Sequence, residues 1–125
     1  MGKSNALHGF RNSVEPAFCV TFEADVTEFK KYVKENNISF TLAMVYTVCR
    51  YANQIEAFRY RFVDGKVVLF DNIDTAFTYL NKKTNLFKVV NAPMMDDLRE
   101  YCSNAKKIMP HPCLTGVSIM RKMEK

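Results

Sequence analysis

The stretch Phe58-Arg-Tyr-Arg-Phe-Val-Asp-Gly-Lys-Val-Val-Leu-Phe70 decides the fold class. Its first half alternates aromatic and basic residues, the period of two that belongs to a strand. Its second half, Val67 to Phe70, is an apolar run. Asp64-Gly65 lies between them, and that dipeptide favours the positive φ angles of a type I′ turn. The spacing therefore predicts a β-hairpin. Arg59 and Arg61 share one face of its first strand. Phe58, Tyr60 and Phe62 share the other, so the aromatics are expected to face a core and the arginines a solvated surface.

Downstream, residues 74–80 read as another strand, with Thr75, Phe77 and Tyr79 on one face. Leu86-Phe-Lys-Val-Val90 is a fourth, joined to it by the polar turn 81–85. Pro93 ends the sheet region. Asp96 and Asp97 suit a helix start, as caps rather than cation ligands. Leu98, Tyr101, Cys102, Ala105 and Ile108 give that helix its apolar stripe. Upstream, residues 17–25 are rich in aromatic and β-branched residues and read as a strand. Asp25 and Glu28 form a capping-box pattern, followed by an amphipathic helix ending near Asn36-Asn37. A second helix, capped by Thr41 and running to Gln54, is apolar almost all round, so it is expected to be mostly buried within its protein or an interface. It is too short to cross a membrane.

The chain has 125 residues, 48% hydrophobic and 25% charged, the balance of one soluble globular domain. No apolar run reaches the roughly 18 residues of a membrane span, and Met1 to Phe10 hold no apolar leader core. A cytoplasmic protein is expected. Cys19, Cys49, Cys102 and Cys113 are irregularly spaced, as reduced structural thiols are. The net charge of +5 is dispersed, which predicts a solvated basic surface rather than a nucleic-acid partner. No glycine-rich phosphate loop exists. The histidines are His8 and His111. His111 lies two residues before Cys113 in a tail, 109–125, that reads as irregular and would hold a catalytic Cys-His pair poorly. Cys102, His111 and Cys113 supply three metal ligands where structural zinc needs four. From residues alone this is an α/β chain of the α+β, two-layer kind, a mixed or antiparallel sheet with helices packed on one face and no visible reaction centre.

Several segments together resemble the chloramphenicol acetyltransferase family. They are Glu15-Pro-Ala-Phe-Cys-Val-Thr21 leading to Asp25-Val-Thr27, Ile38-Ser-Phe40 opening the apolar helix, and Asn53-Gln-Ile-Glu-Ala-Phe-Arg-Tyr-Arg61. The hairpin Asp64-Gly-Lys-Val-Val68, Asp71, Thr78, Thr84-Asn-Leu-Phe87 and Asp97-Leu-Arg-Glu100 follow in the same order. The match runs over about residues 8–108. The resemblance implies acetyl transfer from acetyl-CoA to a hydroxyl of chloramphenicol or a similar acceptor. It also implies a homotrimer with active sites between subunits. In that family a histidine of a His-His-x-x-x-Asp-Gly motif removes the hydroxyl proton as the oxygen attacks the thioester, and a hydroxyl donor stabilises the oxyanion. This sequence contains no such motif. The expectation is an N-terminal half, residues 1–108, with the tail 109–125, inactive alone. The alternative is a non-catalytic small-ligand-binding or assembly module. Phe10, Phe18 and Phe87 fall where the family places aromatics of the acceptor pocket, though a buried Phe is equally an ordinary core residue.

Overall fold

The computed structural model describes residues 17, 19–81, 84–109 and 120–122. Helix α1 spans Thr27–Glu35 and α2 spans Phe40–Gln54. A short 3₁₀ turn, Glu56–Arg59, leads into strands β1 (Tyr60–Val63) and β2 (Lys66–Ile73). Strands β3 (Thr75–Asn81) and β4 (Leu86–Ala92) follow, then helix α3 (Leu98–Ile108) and a short strand β5 (Met120–Lys122).

Every strand pairing is antiparallel. One sheet has the order β1-β2-β5, and β3 and β4 form a separate two-stranded ribbon. The β1–β2 turn is of the expected kind, since Asp64 and Gly65 have φ of 49° and 75°, the pair of positive angles a type I′ turn needs. In the ribbon Thr75 pairs with Ala92, Phe77 with Val90 and Leu80 with Phe87. Directly opposite residues share a face. Thr75, Phe77, Val90 and Ala92 therefore point one way, into the core with Leu42, Tyr46, Tyr101, Cys102 and Ala105. Helices α2 and α3 cover this face. Its polar seam is closed: the Thr75 hydroxyl donates to the Ala92 carbonyl at 2.9 Å, so the Tyr101 hydroxyl, 2.7 Å away, is the donor to Thr75 Oγ1.

Local signals set most helix ends. Asp97 caps α3 by accepting from Glu100 N at 2.9 Å, as the paired acids predict. The cap of helix α2 lies two residues earlier than expected, at Ser39 rather than Thr41, with Ser39 Oγ accepting from Leu42 N. Asp25 accepts from Thr27 N at 2.9 Å, which fastens the entry to α1; hydrogen bonding from the Thr27 side chain, and then from this backbone N–H, holds its carboxyl below the usual range.

Four expectations change. Residues 19–26 form no regular strand, and Val20 and Phe22 are 70% and 80% exposed. A strand needs a ladder partner, and none lies beside this segment among the described residues. Helix α2 buries Leu42, Ala43 and Tyr46 but leaves Val48 and Tyr51 exposed, so only one side of an all-round apolar helix is covered. The burial of this stretch does not follow the predicted alternation: Phe58, in the 3₁₀ turn, and Phe62 are exposed, while Arg59, Tyr60 and Arg61 are all half-buried. Arg59 Nη1 donates to the carbonyls of Phe70 and Asp71 at 2.9 and 3.0 Å, a backbone role that outweighs solvation. Finally, the tail 109–125 includes an ordered strand, since Met120–Lys122 pair with β2 around a bulge between Phe70 and Asn72.

Candidate functional site

Of the residues singled out from sequence, Phe87 is described, whereas Phe10, Phe18, His8, His111 and Cys113 lie outside the described residues. Phe87 sits near the start of β4 and is 74% exposed, so it is not a core residue. It shares the outer face of the ribbon with Ala76, Thr78, Leu80, Val89 and Asn91. Leu80 and Val89 are also exposed. The Asn91 side-chain oxygen on this face is buried without a hydrogen-bond partner. Asp97 is a cap, and the Asp96 backbone carbonyl accepts from the Tyr46 hydroxyl and from Arg50. Among the described residues no group of three His, Cys, Asp or Glu could hold a metal ion.

The outer face runs, through Ala76, into an open groove of about 460 Å³. One wall is the uncovered side of α2, with Met44, Val45, Val48, Cys49 and Ala52. The other is the β2–β3 junction, Ile73 to Ala76. Asn53 fixes the two walls, accepting from Ile73 N at 2.8 Å and donating to its carbonyl at 3.0 Å. The Cys49 thiol donates to the same carbonyl at 3.3 Å, and Asp74 Oδ1 accepts from Met94 N at 2.8 Å. The sequence carried a signal for this groove, the apolar side of α2 left over after its core stripe. The opposing wall comes from a junction between strands, which no local pattern marks.

The electrostatics of the groove suit binding better than catalysis. Burial pushes the Cys49 thiol up, and the neighbouring Asp74 carboxylate adds to it, so near neutral pH it is a proton-bearing donor rather than a nucleophilic thiolate. Cys102 is likewise raised, mainly by burial. Cys19, Cys49 and Cys102 are all free thiols, as expected. No cation lines the groove. A CoA diphosphate and 3′-phosphate need cations or a cradle of backbone N–H groups, so these residues do not fit acetyl-CoA. They fit an apolar or aromatic group. Arg50 belongs to a separate polar recess of about 250 Å³ with Asn53, Gln54, Asn72 and Asp96.

Fold and site together define a mixed α/β domain that presents an open apolar wall. A model of the chloramphenicol acetyltransferase family matches residues 2–112, and the chain belongs to that family. It is 24% identical over 100 residues to chloramphenicol acetyltransferase 3 of Escherichia coli, covering 80% of this chain and 47% of that protein. It is 26% identical over 100 residues to chloramphenicol acetyltransferase 2 of Haemophilus influenzae, with the same coverage. A solved chloramphenicol acetyltransferase structure superposes with a TM-score of 0.77 at 30% identity, over 90% of this chain and 53% of that one. The chain thus spans about half the length of the relatives it matches. No described helix is long and apolar enough to cross a membrane.

Proposed function

We propose that these 125 residues form the acceptor-binding side of a chloramphenicol acetyltransferase-type enzyme and do not transfer acetyl groups on their own. The acceptor is a small hydroxyl-bearing molecule such as chloramphenicol. Phe87, with Phe10 and Phe18, supplies aromatic wall to it. The acetyl-CoA site and the proton-abstracting imidazole lie outside these 125 residues, and the site is completed between chains as in the family's homotrimers. The free thiols fit a reducing cytoplasm.

The observation that carries this reading is an exposed Phe87 on the ribbon face that leads, through Ala76, to an apolar groove with no histidine in its lining. The described residues include no histidine, and the sequence has only His8 and His111, which are not adjacent. Without a positioned base a factor of roughly 10²–10⁴ in rate is absent. The test is to mix the purified chain with acetyl-CoA and chloramphenicol and follow thiol release. No release above the uncatalysed rate is expected, and steady turnover by the chain alone overturns the proposal. The alternative, a ligand-binding or assembly module without any acyl transfer, is favoured by the same open wall. A rise in melting temperature with chloramphenicol, combined with no turnover after adding a polypeptide that bears the family's C-terminal half, would select it.

A further inference from the structure

An open recess of about 260 Å³ lies between the turn that joins α1 to α2 and the side of α3. Asn36, Asn37 and Ile38 form one wall, and Arg99, Ser103 and Lys106 the other. Both walls are held by the fold. Positions 99, 103 and 106 recur at helical spacing, so their side chains share one face of α3. The turn ends α1 in a Schellman motif: Ile38 N donates to the Val33 carbonyl at 2.8 Å and Asn37 N to that of Lys34 at 3.2 Å, with Asn37 at a φ of 54°. Ile38 packs on the core and anchors the turn. Asn36 ties the walls together, since its Nδ2 donates to the Tyr32 carbonyl at 2.8 Å and its Oδ1 accepts from Arg99 Nη2. That contact fixes the guanidinium and uses one of its five donors. Arg99 makes no other hydrogen bond among the described residues, and Lys106 has neither a hydrogen bond nor an ion pair among them. No acid lines the recess. Asp97, two residues before Arg99, is engaged as the cap of α3.

We propose that this recess binds a phosphate group, carried either by the free ion or by a small phosphomonoester. The Arg99 fork takes two oxygens side by side, and the Lys106 ammonium supplies a second positive charge. The Ser103 hydroxyl and the Asn37 amide donate to the remaining oxygens. A phosphomonoester carries a charge of about −1.5 to −2 at neutral pH, which two cations match. A carboxylate brings one charge, and chloride brings no array of oxygens. The volume is several times the roughly 30 Å³ that a water molecule occupies, so a tetrahedral oxyanion enters with water beside it. Helix α3 packs on the core side of α2, and the apolar groove opens on the other. The site is therefore separate from the acceptor wall and does not rest on acyl transfer.

The test titrates the full chain with inorganic phosphate and, separately, with glycerol 2-phosphate, at constant ionic strength made up with chloride. The phosphorus-31 resonance of the added phosphate and the melting temperature are followed together. A saturable change in the resonance is expected, with a rise in melting temperature that chloride does not give. Lys106→Gln and Arg99→Gln are each expected to weaken binding about fivefold or more. Lys107→Gln removes a charge from the same helical turn but outside the recess, and is expected to leave binding unchanged. Circular dichroism establishes that each variant is folded. Lys106 is exposed and holds no other element in place, so Lys106→Gln decides the matter even where Arg99→Gln loosens the turn. Tighter binding of glycerol 2-phosphate identifies a monoester as the ligand, and equal or tighter binding of inorganic phosphate identifies the free ion; both uphold the site. A parent that responds to phosphate no more than to chloride overturns the proposal. So does a folded Lys106→Gln that binds as the parent does, or a Lys107→Gln that loses as much as Lys106→Gln.

Discussion

Cys49 sits where three influences meet: partial burial, the Asp74 carboxylate, and the Ile73 carbonyl that accepts its S–H. The first two disfavour the thiolate, and the third favours the thiol. In the unfolded chain the thiol titrates near about 8.5. Because the folded value lies higher, the unfolded state loses its proton first as pH rises. Stability from this thiol is then complete below the unfolded value and is lost as pH climbs through the folded one. Cys102 and Tyr101 are raised in the same sense, both chiefly by burial. The urea midpoint is therefore expected to hold steady from pH 7 to 8 and to fall from pH 8 to 10, with a shallower fall in Cys49→Ala. A midpoint that stays flat or rises would sink this account. Residue-level reading of the sequence worked where a side chain acts on its own neighbours, as with Asp97 capping α3. It failed at Arg59. Alternation put arginines and aromatics on opposite faces of a strand, yet Arg59 lies in the 3₁₀ turn ahead of β1, where a period of two does not apply, and its guanidinium is held by the Phe70 and Asp71 carbonyls across the hairpin.

At the scale of elements, the β1–β2 hairpin is the part most fully written in sequence. Asp64 and Gly65 both adopt positive φ, and Asp tolerates that region far better than most residues. A Cβ added at Gly65 meets nothing within 4 Å, so a substitution there strains only the backbone. Gly65→Ala is expected to cost about 1 kcal/mol, read as a lower urea midpoint with an unchanged slope. A loss of more than about 3 kcal/mol would mean the turn has a steric role that the open space around it denies. The segment 17–25 shows the limit of such reading. Its composition is that of a strand, yet β-propensity describes fit to a neighbouring surface and not an intrinsic backbone state. No described strand lies beside it. The same limit hid the groove, because a helix that is apolar all round tells that two sides want covering and not what covers the second.

For the whole molecule, the balance of covered and uncovered apolar surface is the governing fact. Among the described residues ten hydrophobics are buried, three of them alanines, while fourteen large hydrophobics are exposed. Contiguous apolar patches beyond a few hundred Å² on a soluble chain generally mark sites of interaction. Sequence could not have forecast this, since composition fixes how much apolar surface exists and not how much of it finds a partner. The consequence is a native fold that binds an apolar dye. At low micromolar concentration 8-anilinonaphthalene-1-sulfonate is expected to fluoresce with the chain while near-ultraviolet circular dichroism stays intact. The retained tyrosine signal separates this from a molten globule, in which fixed packing such as the Tyr46–Tyr101 contact, with centroids 5.2 Å apart, would be lost. A folded chain that binds no dye at any concentration would mean these faces are covered in solution, and an acceptor wall open to solvent could not then be read from them.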